Sequence, residues 1–234
     1  MVKKEEIILA SEIVPLIARK AEVTPIVLSV NGNVASGKST FAKRIKEMIE
    51  KLDNNKEVCV ITTDDFLLSN QQLHEMNLFV DKGFPNTYNY ELINRFVNAL
   101  LSGEDILIPQ YDHKINDIDF TKRKLINHPD IIILEGLISS RKEFSQIINK
   151  SIFINVNEKD NYEWYLRRCL DLNLPALYDL SVTDFLPIAK RNWKLTNWRN
   201  FIDNVLPLRS KADIQVYLDH NHQIWKVEVG TMST

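Results

Sequence analysis

Short β-branched runs punctuate the chain, and between several of them lie charged segments with a helical rhythm. Ile26-Val27-Leu28-Ser29-Val30, behind Pro25, is the kind of continuous apolar run that a strand buried on both faces needs. Similar runs stand at 58–62, 106–108, 131–134, 152–156 and 214–218. Residues 4–20 set Ile7, Ile8, Ile13, Leu16 and Ile17 among charges at helical spacing, and 41–52 and 90–101 repeat that rhythm. Strands alternating with helices predict βαβ units, hence an α/β fold with a mostly parallel central sheet flanked by helices. The last stretch, 213–229, alternates on both sides of Asp219-His220-Asn221-His222 and reads as a C-terminal antiparallel strand pair. There is no internal repeat, low-complexity tract or Gly/Ser linker, which points to one domain at 25–230 behind an N-terminal helical segment at 1–24.

Composition narrows the function classes. The 234 residues are 44% hydrophobic and 26% charged, ordinary globular values with length enough for a sizeable core. Lys plus Arg (29) against Asp plus Glu (31) leaves a net charge of −2, which argues against nucleic acid as a partner. Cys59 and Cys169 are the only cysteines, so neither a disulfide framework nor a Cys-rich zinc module is expected. No apolar run approaches the roughly 18 residues of a membrane span. The Met1-Val2-Lys3-Lys4 start leads into Glu5 and Glu6 rather than a cleavable apolar stretch, so the expectation is a cytoplasmic protein with no membrane partner.

Chemistry enters with Gly32-Asn33-Val34-Ala35-Ser36-Gly37-Lys38-Ser39, a full G-x-x-x-x-G-K-[ST] match followed by Thr40. It directly follows the strand at 26–30 and opens the helix beyond, the setting its mechanism demands. Glycines let backbone N–H groups turn inward around phosphate oxygens, and a helix N-terminus favours the anion. In such a loop Lys38 bridges the β- and γ-phosphates and the Ser39 hydroxyl ligates Mg²⁺.

Two common kinds of triphosphate protein fit poorly. A guanine reader needs Asn-Lys-x-Asp, and Asn157-Glu158-Lys159-Asp160 has those letters in another order. A motor ATPase expects an apolar strand ending in Asp-Glu, whereas 131–134 ends in Glu135-Gly136. Glu135 can still orient a metal-bound water or an acceptor, or be a solvated strand-end carboxylate. Val60-Ile61-Thr62-Thr63 runs into Asp64-Asp65-Phe66, and ligands of open parallel sheets bind beyond the carboxyl ends of the strands. Asp64 can therefore accept the proton of an attacking hydroxyl, or simply cap a turn; spacing leaves both readings open.

The string Ile61-Thr62-Thr63-Asp64 with Phe66, then Lys82-Gly83-Phe84-Pro85, resembles the bacterial type I pantothenate kinases, of the same P-loop kinase group as uridine kinases and phosphoribulokinases. The likeness continues through Pro109-Gln110-Tyr111-Asp112-His113, Asp130 to Leu137, Trp164-Tyr165-Leu166-Arg167-Arg168, Asn197-Trp198 and Asn204-Val205-Leu206-Pro207, and ends near Asn221-His222. It implies the P-loop kinase fold, an acceptor and lid region at about 160–205, ATP as phosphate donor, Mg²⁺, a small-molecule acceptor and a homodimer. By position it makes Asp64 the catalytic base and Arg168 the phosphate-facing arginine beside Lys38. It sets Tyr111, His113, Tyr165 and Asn197 around the acceptor and His222 beside the adenine, and Glu135, read from its place at the strand end, is counted with the acceptor-binding residues.

The chain also departs from the family. Asp65 stands where the family usually has glycine and is expected to add local charge. Cys169 replaces a phenylalanine, the aromatic flap at 171–186 is shortened, and the segment before the phosphate loop is shorter. Tyr178 and Phe185 are the candidate substitutes for the flap's aromatics. Tyr162, Tyr165, Leu166, Cys169 and Leu170 form one apolar helical stripe, with Arg168 at its edge. The expected function is ATP-dependent phosphorylation of the primary hydroxyl of pantothenate. The alternatives are a related kinase for a nucleoside, sugar or hydroxy acid, and a nucleotide-binding regulator without turnover.

Overall fold

A computed structural model describes residues 4–18 and 24–230 of the chain. The described strands are β1 (Ile26–Gly32), β2 (Val58–Thr62), β3 (Ile106–Asp112), β4 (Asp117–Ile126), β5 (Ile131–Gly136), β6 (Ile148–Asn155), β7 (Ile214–Leu218) and β8 (Ile224–Val229). The helices are α1 (Lys4–Ile17), α2 (Lys38–Leu52), α3 (Asn70–Glu75), α4 (Tyr90–Ser102), α5 (Glu158–Asp171), α6 (Leu174–Leu177), α7 (Val182–Asn192) and α8 (Trp198–Asn200). The helical segment expected over 1–24 is thus seen as α1, while residues 1–3 and 19–23 lie outside the described residues.

A six-stranded sheet carries the fold in the order β2-β5-β1-β6-β7-β8. All its pairs are parallel except β7–β8, the antiparallel pair that the 213–229 alternation predicts. Because β1 and β5 are apolar over most of their length and buried almost end to end, alternate residues feed both faces. Leu28, Val30, Ile131 and Ile133 pack with Phe41, Ala42, Ile45 and Ile49 of α2 and with Leu9, Ile13 and Ile17 of α1. Val27, Ile132 and Leu134 pack on the other side with Leu92, Ile93, Phe96 and Val97 of α4 and with Phe66 and Phe144. Helices on both faces follow from that two-sided burial.

The 106–108 run does not join the main sheet. It lengthens into β3, which pairs antiparallel with β4 as a separate two-stranded ribbon. Ile108, Ile118 and Ile126 bury themselves against the α4 layer, and Lys124 Nζ donates to the Val60 carbonyl of the β2 edge at 2.6 Å. β4 escapes sequence reading because Thr121, Lys122 and Arg123 are exposed in succession, which erases the alternation a strand normally shows. The C-terminal helical stretch is irregular too. α7 runs on through a π-helical stretch at Trp193–Asn197, α8 and a second π-helical stretch at Phe201–Val205. Such π-helical insertions concentrate at functional sites.

At Gly136 the chain crosses very close to the turn after β2. Its φ is 149°, and a Cβ built there would lie 1.8 Å from Thr63 Oγ1 and 2.7 Å from Thr63 Cβ. Thr63 is fully buried, and its Cβ as well as its hydroxyl stands in the way. Gly136→Ala is therefore expected to cost about 3 kcal/mol, read in a thermal melt as a midpoint lowered by about 6–12 °C; an unchanged midpoint would contradict the close approach.

Candidate active site

The sheet register brings three loops to one edge. Val30 of β1 and Thr62 of β2 both pair with Glu135 of β5, and Asn31 pairs with Gly136. The phosphate loop, the Thr63–Phe66 turn and Glu135 therefore leave the sheet side by side, at the carboxyl ends where open parallel sheets bind ligands.

Gly32 begins the loop at φ 151°, where a Cβ would come within 2.9 Å of the Ile154 carbonyl oxygen. Gly37 is left-handed at φ 88° and directly precedes α2. Asn161 of α5 braces the loop: its Oδ1 accepts from Asn33 Nδ2 and its Nδ2 donates to the Val34 carbonyl, both at 2.8 Å. Ser36 Oγ is buried in this cradle without a protein partner. A buried hydroxyl left unmatched is unfavourable until a ligand oxygen meets it, so this atom and the turned-in backbone fit a phosphate chain.

Lys38 Nζ donates to the Asn33 carbonyl at 2.7 Å. Burial lowers its pKa to about 8, against the opposing pull of Glu135 and Asp64. Glu135 is buried and its pKa is raised by desolvation, while Lys38 holds it down. Ser39 Oγ donates to Glu135 Oε1 at 2.8 Å. Mg²⁺ takes one or two protein ligands and completes its shell with waters and substrate phosphates. The Ser39–Glu135 pair fits that demand.

Beside the loop opens a cleft of about 390 Å³ whose walls include Lys38, Thr40, His113, Trp164, Arg168 and His222. His222, left-handed at φ 58°, stacks on Trp164 with ring centroids 3.6 Å apart, and its carbonyl accepts from Arg44.

Asp64 is half-buried in the turn capped by Thr62 Oγ1. Its charge acts on Lys38, Glu135, Lys82, Tyr111 and His113, which places it at the electrostatic centre of the site. Asp65 points elsewhere. It is buried, accepts from the Tyr111 amide at 2.8 Å, and desolvation raises its pKa to about 7. The residue expected to add charge is thus only partly ionised at neutrality, and it ties the ribbon to the β2 turn.

Tyr111 and His113 meet edge to face with centroids 5.1 Å apart. The Tyr111 hydroxyl donates to Asn116 Oδ1 at 2.7 Å. Burial and Arg168 both lower the His113 pKa, and Arg168 Nη2, which can only donate, lies 3.3 Å from His113 Nε2. Burial raises the pKa of Tyr165, whose hydroxyl also feels Cys169 and Asn197. The structure therefore joins Lys38, Ser39, Glu135 and Asp64 at the sheet edge, His113 to Arg168, and Tyr165 to Asn197. Of the expected stripe on α5, Leu170 is exposed and Trp164 is buried instead. Phe185 of α7, one of the two flap aromatics singled out in the sequence, packs in one buried cluster with Cys169 and Ala189.

Four residues of this region carry no sequence expectation. Lys82 Nζ lies 4.8 Å from the Tyr111 ring centre and donates to Asn70 Oδ1, and burial lowers its pKa to about 8. The Lys-Gly-Phe-Pro string was the available signal. Trp164 opens the Trp-Tyr-Leu-Arg-Arg string without a role of its own there, Asn116 and Asn161 are isolated polar letters, and only the fold shows what the three meet.

A phosphate loop at the edge of a parallel sheet, with a lysine, a hydroxyl and two carboxylates around it, defines a P-loop ATP-dependent phosphotransferase. The chain belongs to the Phosphoribulokinase / Uridine kinase family, whose sequence pattern matches residues 27–171. It is 33% identical over 221 residues to the pantothenate kinase of Ligilactobacillus salivarius, covering 88% of this chain and 72% of that one. Its identity to the pantothenate kinase of Rhizobium rhizogenes is 34% over 226 residues, covering 87% and 68%. D-glycerate 3-kinase from Cryptococcus neoformans shares the fold with a TM-score of 0.67 at 14% identity, over 98% of this chain and 100% of that one. Phosphoribulokinase from Rhodobacter spheroides does so with a TM-score of 0.58 at 12% identity, over 85% and 73%. Among the described residues no helix is long and apolar enough to cross a membrane.

The buried Asp65 gives a pH test. Its folded pKa of about 7 lies above the ordinary 3.8, so the folded state holds its proton more tightly. Stability from this group is present below the unfolded pKa and is lost as pH rises through that window. Asp65→Asn keeps an acceptor for the Tyr111 amide and cannot ionise. Its melting temperature relative to the unmodified chain is expected to rise between about pH 4 and about pH 7 and then level off, and parallel melting curves across that range would contradict the assignment.

Proposed function

We propose that the protein transfers the γ-phosphoryl group of ATP to the primary hydroxyl of pantothenate, the first step of coenzyme A synthesis. The observation that carries this reading is the 33–34% identity to pantothenate kinases along 87–88% of the chain. The pairing of His113 with Arg168 beside the phosphate loop supports it.

In this reading the loop amides, Ser36 and Lys38 hold the phosphates of ATP, and His222 on Trp164 borders the adenine. Gly32 and Gly37 let the backbone close around the phosphate chain. Magnesium, when bound with the nucleotide, neutralises phosphate charge, and Ser39 and Glu135 are the residues that would hold it. Tyr111, His113, Tyr165 and Asn197 wall the acceptor, and Lys82 adds a second cation on that side. Asp64 takes the proton of the acceptor hydroxyl as its oxygen attacks the γ-phosphorus. The bond to the β–γ bridging oxygen breaks and ADP leaves. Lys38 and Arg168 counter the charge spread over the moving phosphoryl group, as positioned cations do in phosphoryl transfer.

An acceptor panel tests the substrate. With Mg²⁺ and ATP, ADP release is expected to reach about 1–100 s⁻¹ with pantothenate, the usual range for kinases, and to stay near the acceptor-free rate with nucleosides, sugars and hydroxy acids. Faster release with one of those acceptors than with pantothenate would overturn the assignment.

A further inference from the structure

Asn116, at the tip of the β3–β4 ribbon, is the junction of four separate segments. Its Oδ1 accepts from the Tyr111 hydroxyl at 2.7 Å, and its Nδ2 donates to the Tyr178 hydroxyl at 2.9 Å. Its carbonyl accepts from Lys82 Nζ at 2.6 Å and from Asn70 Nδ2 at 3.1 Å. The backbone is left-handed, with φ 52°. Asparagine tolerates that conformation better than most residues, which accounts for the turn. It does not account for the side chain, which holds Tyr111 of the ribbon at one end and reaches out of the hairpin to Tyr178 at the other.

The partners give those bonds a direction. Tyr111 and Lys82 lie together, with Lys82 Nζ 4.8 Å from the Tyr111 ring centre, and the Asp64 charge bears on both. Tyr178 follows α6 and stacks on Phe185 of α7 with ring planes 17° apart, and Phe185 in turn packs against the Cys169 cluster with Tyr165. A single amide thus connects the ribbon wall, Tyr111, to the helical wall that holds Tyr165. Nothing in this chain of contacts passes through the phosphate loop.

We propose that Asn116 is a positioning residue for the acceptor: its side chain clasps the ribbon tip to the Tyr178 segment and thereby sets the separation of the two acceptor walls. The acceptor identity rests on the pantothenate reading; the clasp does not. Asn116→Gly keeps the left-handed turn and the carbonyl that meets Lys82 but removes both side-chain bonds. Asn116→Asp keeps an oxygen for each tyrosine hydroxyl. Tyr178→Phe removes one bond and leaves the ring stack.

Steady-state kinetics with pantothenate and Mg²⁺ATP, read together with backbone hydrogen exchange at residues 174–180, test the clasp. Loss of two hydrogen bonds in Asn116→Gly is expected to raise the pantothenate KM about tenfold and Tyr178→Phe about threefold, while the ATP KM stays within about twofold and Asn116→Asp restores most of the affinity. Equal rises in both KM values, an Asn116→Asp as impaired as Asn116→Gly, or an unchanged pantothenate KM in Asn116→Gly would overturn the proposal. If the unmodified protein does not turn over pantothenate, the substrate reading fails by itself and exchange decides the clasp. Faster exchange at 174–180 in Asn116→Gly, with the phosphate loop unaffected, supports it, and unchanged exchange overturns it.

Discussion

The site depends on the parallel register of β2, β5 and β1. Each strand is pinned by burial on both faces, so a slip of one residue would turn apolar side chains out of one layer and into the other. With the register held, Glu135 falls beside both Val30 and Thr62, and the phosphate loop and the Asp64 turn emerge on either side of it. The close approach of Gly136 to Thr63 belongs to the same constraint. The chemistry of the edge is set by hydrogen bonds made far inside the sheet.

Burial at that edge produces opposed shifts. Lys38 is lowered to about 8, Glu135 is raised, and Asp65 is raised to about 7, each primarily by desolvation. The two members of the Lys38–Glu135 pair each relieve the other's penalty, and Ser36 Oγ waits without a partner. Such an arrangement is costly for the empty fold and becomes favourable when a phosphate chain brings charge and acceptor oxygens into it. A net charge of −2 is compatible with this, because the cationic character is concentrated on a few side chains rather than spread over the surface.

Much of this was legible in the residues. The phosphate loop names its own geometry, since Gly37 takes the left-handed conformation that its position before α2 demands. The apolar runs at 26–30 and 131–134 carry enough signal to place the sheet, and the alternation over 213–229 gives β7 and β8. The ribbon was not legible, because exposed Thr121, Lys122 and Arg123 hide the strand period of β4. Asp65 was legible as a departure but not as a buried group, for its environment is made by Tyr111, 46 positions away. Lys82, Asn116 and Trp164 share that limit: each acquires its meaning from a partner that only the tertiary fold supplies. The packing of Phe185 beside Cys169 is a contact between two helices and has no local signature.

The central claim is that Asp64 supplies the base at an edge otherwise built to hold ATP. Rapid-quench single turnover with Mg²⁺ATP and pantothenate, run on the unmodified chain and on Asp64→Asn, tests it most directly, with ATP binding measured alongside. Phosphoryl transfer is expected to slow by about 10²–10⁴-fold in the variant while ATP affinity stays within about twofold. Transfer at the unmodified rate in Asp64→Asn would contradict the account.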